Sequence, residues 1–326
     1  MAIGAGIGAQ FGIVNEVTFN TFVAPTRFYE FNSESLQYEK NVAVGMGLRA
    51  GGQIARSQRR VVTTYGATGD LEMDLPTRGL GLLLSHAMGG AAPAGVLVST
   101  GVYTYTFTLG DVFGRSFTAQ AGVPQYGGTV LAKTLTGCKV GGFELGVDNG
   151  GIAVGKFSLD AAGFVTTQAL ATASYPLNGS IFHFAQGAIT VDAGATTNIK
   201  DFSLSVDNNL KADRYNLGGL GAKSEQTLGG FRKVSGKLTA EFTDATLMNK
   251  FLTDSSAALE LTFTGGTIAS TYKDTLKITL PAVKFDGEAP AVGDDGPVDL
   301  SMDFEAYDDG TNQPLTVFYQ TSEATL

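Results

Sequence analysis

The sequence predicts a mainly β protein made of two tandem β-sandwich domains, each flanked by one short α-helix. Three observations predict it. Glycine supplies 44 of 326 residues, about twice the usual ~7%, and Val, Thr, Phe and Tyr are plentiful, which favours strands joined by Gly-rich turns. Short runs alternate apolar and polar residues with the period of a half-buried strand. One such run occurs twice, as Gly69-Asp-Leu71-Glu-Met73-Asp-Leu75 and Gly236-Lys-Leu238-Thr-Ala240-Glu-Phe242.

After each copy the apolar spacing changes to three and four, at Leu80, Leu83 and Leu84 and again at Leu247, Met248, Phe251 and Leu252. That is the spacing of a helix with one buried face. The change falls at Thr77 and at Thr243 or Asp244, side chains able to accept from the first free N–H groups of a helix. Each copy therefore reads as strand, capped turn and amphipathic helix, and a recurrence this far apart points to a duplicated domain.

Residues 1–26 are Gly- and Ala-rich and then polar. They read as an N-terminal arm that orders against a neighbour, because glycine makes ordering costly without a partner. Gly4-x-Gly6-x-x-Ala9 has neither the preceding strand nor the following helix that a dinucleotide-binding turn requires. The first domain is expected over 27–168. It has a strand at 27–38, a Gly-rich loop at 39–58, a strand at 61–75 and a helix at 77–88. Strands follow at 103–109, 113–120, 136–147 and 151–160, the last two joined by the turn Asp148-Asn149-Gly150-Gly151. Residues 162–178 form the seam. The second domain, 169–326, repeats the order: a strand at 199–206, a Gly-rich loop at 207–230, the recurring strand and helix, then strands at 257–264, 275–285, 298–304 and 314–320. Asp294-Asp295-Gly296-Pro297 stands where the first hairpin turn stood. Loops as long as 39–58 are either solvated or functional, here by docking on an adjacent subunit.

Charged residues are only 16% of the chain, against a usual ~25%, so neighbouring chains are expected to cover part of the surface. The net charge of −9 argues against a protein that grips nucleic-acid phosphates. The single cysteine, Cys138, excludes an intramolecular disulfide and reads as a small packed residue. No run of about 20 apolar residues is present to span a bilayer as a helix. No nucleophile elbow, phosphate loop or zinc-binding helix motif occurs. Asp294-Asp295-Gly296 and Asp308-Asp309-Gly310 lack the alternating oxygen ligands of a calcium loop and read as turns. His86, near a helix C-terminus, reads as a cationic cap, and His183 as a strand residue. Neither an enzyme, nor a cofactor, nor a metal site is expected.

The opening Ile7-Gly-Ala-Gln-Phe-Gly-Ile-Val-Asn-Glu16, then Ala24-Pro-Thr-Arg-Phe28 and Asn32-Ser-Glu-Ser-Leu36, precede the strand–long loop–strand–helix order in an acidic, Gly-rich, cysteine-poor chain. In these features the sequence resembles the tail tube proteins of long-tailed bacteriophages over its whole length. The resemblance implies β-sandwich domains whose strands join across subunits into a closed inner β-barrel, in rings that stack into a tube for genomic DNA. It implies partners: further copies of the chain, and the tail terminator, tape-measure and tail-tip proteins. Double-stranded DNA would pass through the lumen without specific binding. It also implies a place in the virion after assembly in the host cytoplasm. With two domains per chain, three chains would close a ring of pseudo-six-fold symmetry.

A basic channel wall would hold DNA phosphates, so the channel is expected to carry the acidic excess. Asp70, Glu72 and Asp74 share one strand face, and Glu241 takes the place of Asp74 in the second copy, although Lys237 takes that of Asp70. These four are the candidate lumen-facing acids, the alternative being that they face outside solvent. Arg49, Arg56, Lys211 and Arg214, in the two long loops, are the candidate ring-stacking residues. Two other readings fit the composition: another virion β-protein, such as a tail terminator or capsid decoration, and a carbohydrate-binding β-sandwich. The lack of Trp weighs against the second.

Overall fold

The computed structural model describes residues 4–176, 179–196, 198–287, 289–290 and 295–326, so Asp294 of the expected second acidic turn lies outside the described residues. Among the described residues the chain is mainly β with two short α-helices. Its centre is a ladder of eight antiparallel strands. In spatial order these are Gln37–Val44, Arg60–Asp74, Ala153–Ala161, Val130–Val147, Ile199–Asp207, Lys233–Glu241, Asp299–Ala306 and Tyr272–Gly287. Residues 37–161 supply four strands and residues 199–306 the other four. The halves meet where Val147, Leu145 and Phe143 face Phe202, Leu204 and Val206. No closed barrel forms within the described residues of one chain.

The order of pairings is the same on both sides of that meeting point. A strand that precedes the recurring strand comes first, then the recurring strand, then Ala153–Ala161 or Asp299–Ala306, then the long strand that precedes it in the chain. The recurring segments keep their registers. Leu71 faces Phe157 as Leu238 faces Met302, and Thr68 faces Asp160 as Ser235 faces Glu305. The long strands also change partner midway. Val130–Cys138 pairs with Phe117–Pro124, which pairs in turn with Gln10–Asn15. Tyr272–Val283 pairs with Ala257–Ala269, which pairs with Gly187–Val191.

Alternation decides which face is buried. Leu71, Met73, Phe143, Leu145, Phe157, Phe202, Leu204, Leu238, Met302 and Phe304 are all buried on one side of the ladder. At about 25 cal/mol per Å² of apolar surface, burying such rows is the main stabilising term of the fold. Stacked ring pairs add to these rows: Phe143–Phe157 joins two directly paired strands of the first half, and Phe202–Phe304 reaches across the recurring strand of the second at Gly236.

The first helix is shorter than its pattern predicts, Gly81–Met88 rather than 77–88, and all eight of its residues are buried. A helix apolar on every side is enclosed, not amphipathic. Gly89 closes it in the left-handed conformation, with φ 73°, which glycine adopts without a Cβ penalty. Thr77 is not its cap. Its Oγ1 accepts from the Ser180 N–H at 3.0 Å and its carbonyl accepts from the Tyr319 hydroxyl at 2.8 Å, so it ties two distant segments to the helix start. The second helix, Thr246–Leu252, buries only Leu247, and the Asp244 carboxylate accepts from the Thr246 N–H at 2.7 Å.

His86 is not a cationic cap. It is buried, with Nε2 donating to Asn15 Oδ1 at 2.6 Å, and its pKa falls to about 3 because burial, then the charges of Arg115 and Lys139, disfavour the imidazolium. Cys138 is fully buried and burial raises its thiol pKa well above the usual value. The stretch expected as one strand at 27–38 is broken into Arg27–Tyr29 and Ser33–Glu34, and the hairpin strand begins at Gln37. Within residues 1–26, Gln10–Asn15 is a paired core strand with Phe11 and Ile13 fully buried. Residues 90–116 carry strands Val96–Ser99 and Val102–Thr108, the second pairing with Thr316–Thr321 near the C-terminus. This is a second seam between the halves, fastened by Arg27 to Glu323 at 2.6 Å and by the Tyr105 hydroxyl to the Glu323 carbonyl at 2.8 Å.

Candidate functional site

The feature with functional reach is the ladder itself: a polar face, covered at one end where the second Gly-rich loop lies over Asp160, two unpaired edges, and the two long Gly-rich loops, which form arms. Its polar face follows from the register. Residues directly opposite in an antiparallel pair project to the same side, and every second residue projects to the other. Glu72 faces Lys156, Lys156 faces Glu144, Glu144 faces Ser205 and Ser205 faces Ser235. Lys237, Asp303 and Asp286 form a parallel row in the second half. All lie opposite the buried rows, so charge occupies one side of the ladder and the core the other.

The four candidate lumen acids fall on this face. Asp70 pairs with the Lys156 ammonium at 3.2 Å and accepts from Ser158 Oγ at 2.7 Å. Asp74 accepts from Asn32 Nδ2 at 2.8 Å. Glu72 projects among Ser33, Lys156 and Glu144. Glu241 shares Lys200 with Asp299, at 3.2 and 2.8 Å, and the two carboxylates, Asp299 first, raise the Lys200 pKa. The register adds acids the sequence reading missed: Glu144, Asp286, Asp299 and Asp303. Alternation within 299–304 was the available signal for Asp299 and Asp303.

Among the described residues, the ladder ends in two free edges. Gln37–Val44 pairs only with Arg60–Asp74, and its residues are largely exposed. At the other end Lys284–Gly287 pairs only with Met302–Glu305. Exposed strand edges present unpaired N–H and C=O groups, a template for another chain.

The two Gly-rich loops behave differently. The second starts from the small hairpin Leu210–Lys211 with Thr227–Leu228 and lies over the first half. Lys223 Nζ reaches Asp160 Oδ1 at 2.6 Å, Gln226 Nε2 donates to Asp160 Oδ2 at 2.6 Å, and Glu225 takes Lys139 at 2.6 Å. Asn208 Nδ2 donates to the Ala87 and Val140 carbonyls, each at 2.9 Å. Burial raises the Asp160 pKa, opposed by Lys223 and Gln226, and lowers that of Lys139, opposed by Glu225. Of the candidate stacking residues here, Lys211 pairs with Asp213 at 2.8 Å and Arg214 Nη1 donates to the Glu225 carbonyl within the loop. The first loop, residues 45–59, has no such seat: Arg49, Arg56, Met46, Leu48 and Ile54 are exposed.

Among the described residues, no group of three or more His, Cys, Asp or Glu is placed to hold a metal ion, and no helix is long and apolar enough to cross a membrane. Against this background of strands, edges and arms, a family model described as phage tail tube protein matches residues 6–306. The chain belongs to the phage tail tube protein family. It is accordingly a structural protein of a phage tail, located in the virion. The match runs through both halves and includes both long Gly-rich loops. No curated protein matches the chain.

Proposed function

We propose that this tail tube protein assembles through its ladder edges into rings of three chains, each chain supplying two tube domains, and that the rings stack into the conduit for genomic DNA. One observation carries this reading: the eight-strand ladder crosses the middle of the chain with its pairing order repeated on both sides and, among the described residues, stops at a free edge at each end. The meeting of Gly142–Val147 with Phe202–Asp207 is then the template for the contact between chains. By that template, Ser33–Val44 of one chain adds to the edge that opens at Lys284 in the next. Closure removes both edges, which is how a sheet avoids uncontrolled pairing.

The core covers the apolar side of the ladder, so its polar side is the one left to line the channel. Asp70, Glu72, Asp74 and Glu241 then face the lumen together with Glu144 and Asp303. Wall charge of this sign repels phosphates within a Debye length of about 8 Å at physiological salt and keeps DNA moving. The end partners are the terminator, tape-measure and tail-tip proteins, assembly takes place in the host cytoplasm, and the role requires no catalysis. Negative-stain microscopy of purified protein tests the reading. Long tubes with an axial channel support it, and a protein that stays monomeric at high concentration opposes it.

A further inference from the structure

We infer that the exposed arm of the first half, residues 45–59, docks sideways on the second half of the next chain in the same ring, with Arg56 and Arg59 meeting Glu305. The inference rests on the ring reading above and deepens it, assigning this arm to contacts within a ring rather than between rings. Its template is the seat of the other arm. Lys223 and Gln226 meet Asp160, and Asp160 lies between Thr68 and Lys139 in the ladder.

The second half contains the matching seat. Glu305 lies between Ser235 and Lys284, as Asp160 lies between Thr68 and Lys139. The first half supplies the matching arm. Lys223 and Gln226 lie thirteen and ten residues before Gly236, and Arg56 and Arg59 lie thirteen and ten residues before Gly69. The counterpart of Glu225, eleven residues before Gly236, is the uncharged Gln58. That difference is compensated at the seat. Lys139 needs Glu225 from the arm, whereas Lys284 already has Asp254 of its own half at 2.6 Å.

Charge distribution points the same way. Residues 40–60 carry five basic side chains and no acid. Residues 1–168 hold eleven acids and eleven bases, whereas residues 169–326 hold twenty acids and eleven bases. A basic arm on a neutral half next to an acidic half fits a head-to-tail contact between unlike surfaces, the kind that generates rings when the rotation closes. Glu305 is open to receive it: its side chain is 35% exposed and its nearest cation, Lys233, is 3.6 Å away.

The test uses full-length protein carrying Arg56→Cys and Glu305→Cys, assembled into tubes, treated with a short bis-maleimide and run under denaturing conditions. Native Cys138 is buried and does not compete. The expected result is a set of linked species ending at three chains, absent from either single-cysteine protein. In parallel, Arg56→Glu with Arg59→Glu should lower the assembled fraction at least tenfold, and adding Glu305→Arg should restore it. Tubes that form without the 56–305 linkage, or with linked species growing past three, overturn the docking while leaving the ring reading intact. Failure of unmodified protein to form rings or tubes at all overturns both.

Discussion

Lys223, in the second half of the chain, places its ammonium 2.6 Å from the carboxylate of Asp160 in the first, and both side chains are largely buried. The pair is the clearest fastening between the halves. Gln226 occupies the other carboxylate oxygen, so the acid is satisfied only while the arm is down.

Removing one partner of a buried ion pair leaves the other uncompensated, at a cost of about 3–5 kcal/mol. Lys223→Met should therefore destabilise the protein by about 3 kcal/mol, and Lys223→Met with Asp160→Leu should recover much of that loss. Chemical denaturation of the two variants and of Asp160→Leu alone measures the coupling. Additive effects would show that the pair does not act as a unit.

Gly236 is the glycine of the recurring segment, and a Cβ there would overlap the Ser203 carbonyl oxygen and the Phe304 ring. Backbone cannot yield as a flexible side chain can, so Gly236→Ala should cost about 2–3 kcal/mol. Gly266, on an exposed strand, has open space for a Cβ, and Gly266→Ala should stay within about 0.5 kcal/mol. Equal unfolding midpoints for the two variants would contradict the close approach.

His86 gives a pH signature. Its folded pKa, about 3, lies below the unfolded value of 6.5, so the unfolded chain binds the extra proton. The stability from keeping the imidazole neutral is complete above pH 6.5 and is lost as pH falls toward 3. Between pH 6.5 and about 5, above most carboxylate titration, the denaturation midpoint of the unmodified protein should fall steadily, and that of His86→Gln should fall much less. Parallel slopes would mean that His86 is solvated.

The lumen reading makes its own demand. Glu72→Lys with Asp74→Lys should leave tubes intact, since neither side chain belongs to the core, but should make them retain short duplex DNA. Co-sedimentation at low salt should rise at least tenfold and decline steeply as salt increases. Tubes with unchanged DNA retention would place these side chains away from the channel.

Much of this arrangement was legible in the sequence. Alternation at Leu71, Met73 and Leu75 and at Leu238 and Ala240 located the two central strands and their buried faces, because a period of two leaves only one choice of side. The Asp148–Gly151 turn was legible because few residues adopt its backbone. The first helix was overextended because Thr77 has the chemistry of a cap, and only the fold shows that its hydroxyl and carbonyl are engaged by Ser180 and Tyr319. His86 was misread for a similar reason, since a helix C-terminus favours a cation only where water or an acid can support the charge. Strand Gln10–Asn15 was hidden by its glycine and by the short distance over which it alternates. The seat around Asp160 lies beyond local pattern, because its partners Lys223 and Gln226 are more than sixty residues away in the chain.

In the proposed ring, one chain supplies two staves. An averaged end view of assembled tubes by electron cryomicroscopy, at a resolution that traces the chain, tests it most directly. Three chains and six ladder repeats per ring are expected, with the 142–147 to 202–207 pairing preserved and its equivalent between chains. Six chains per ring, or a ring whose inner wall is not built from these strands, would contradict it.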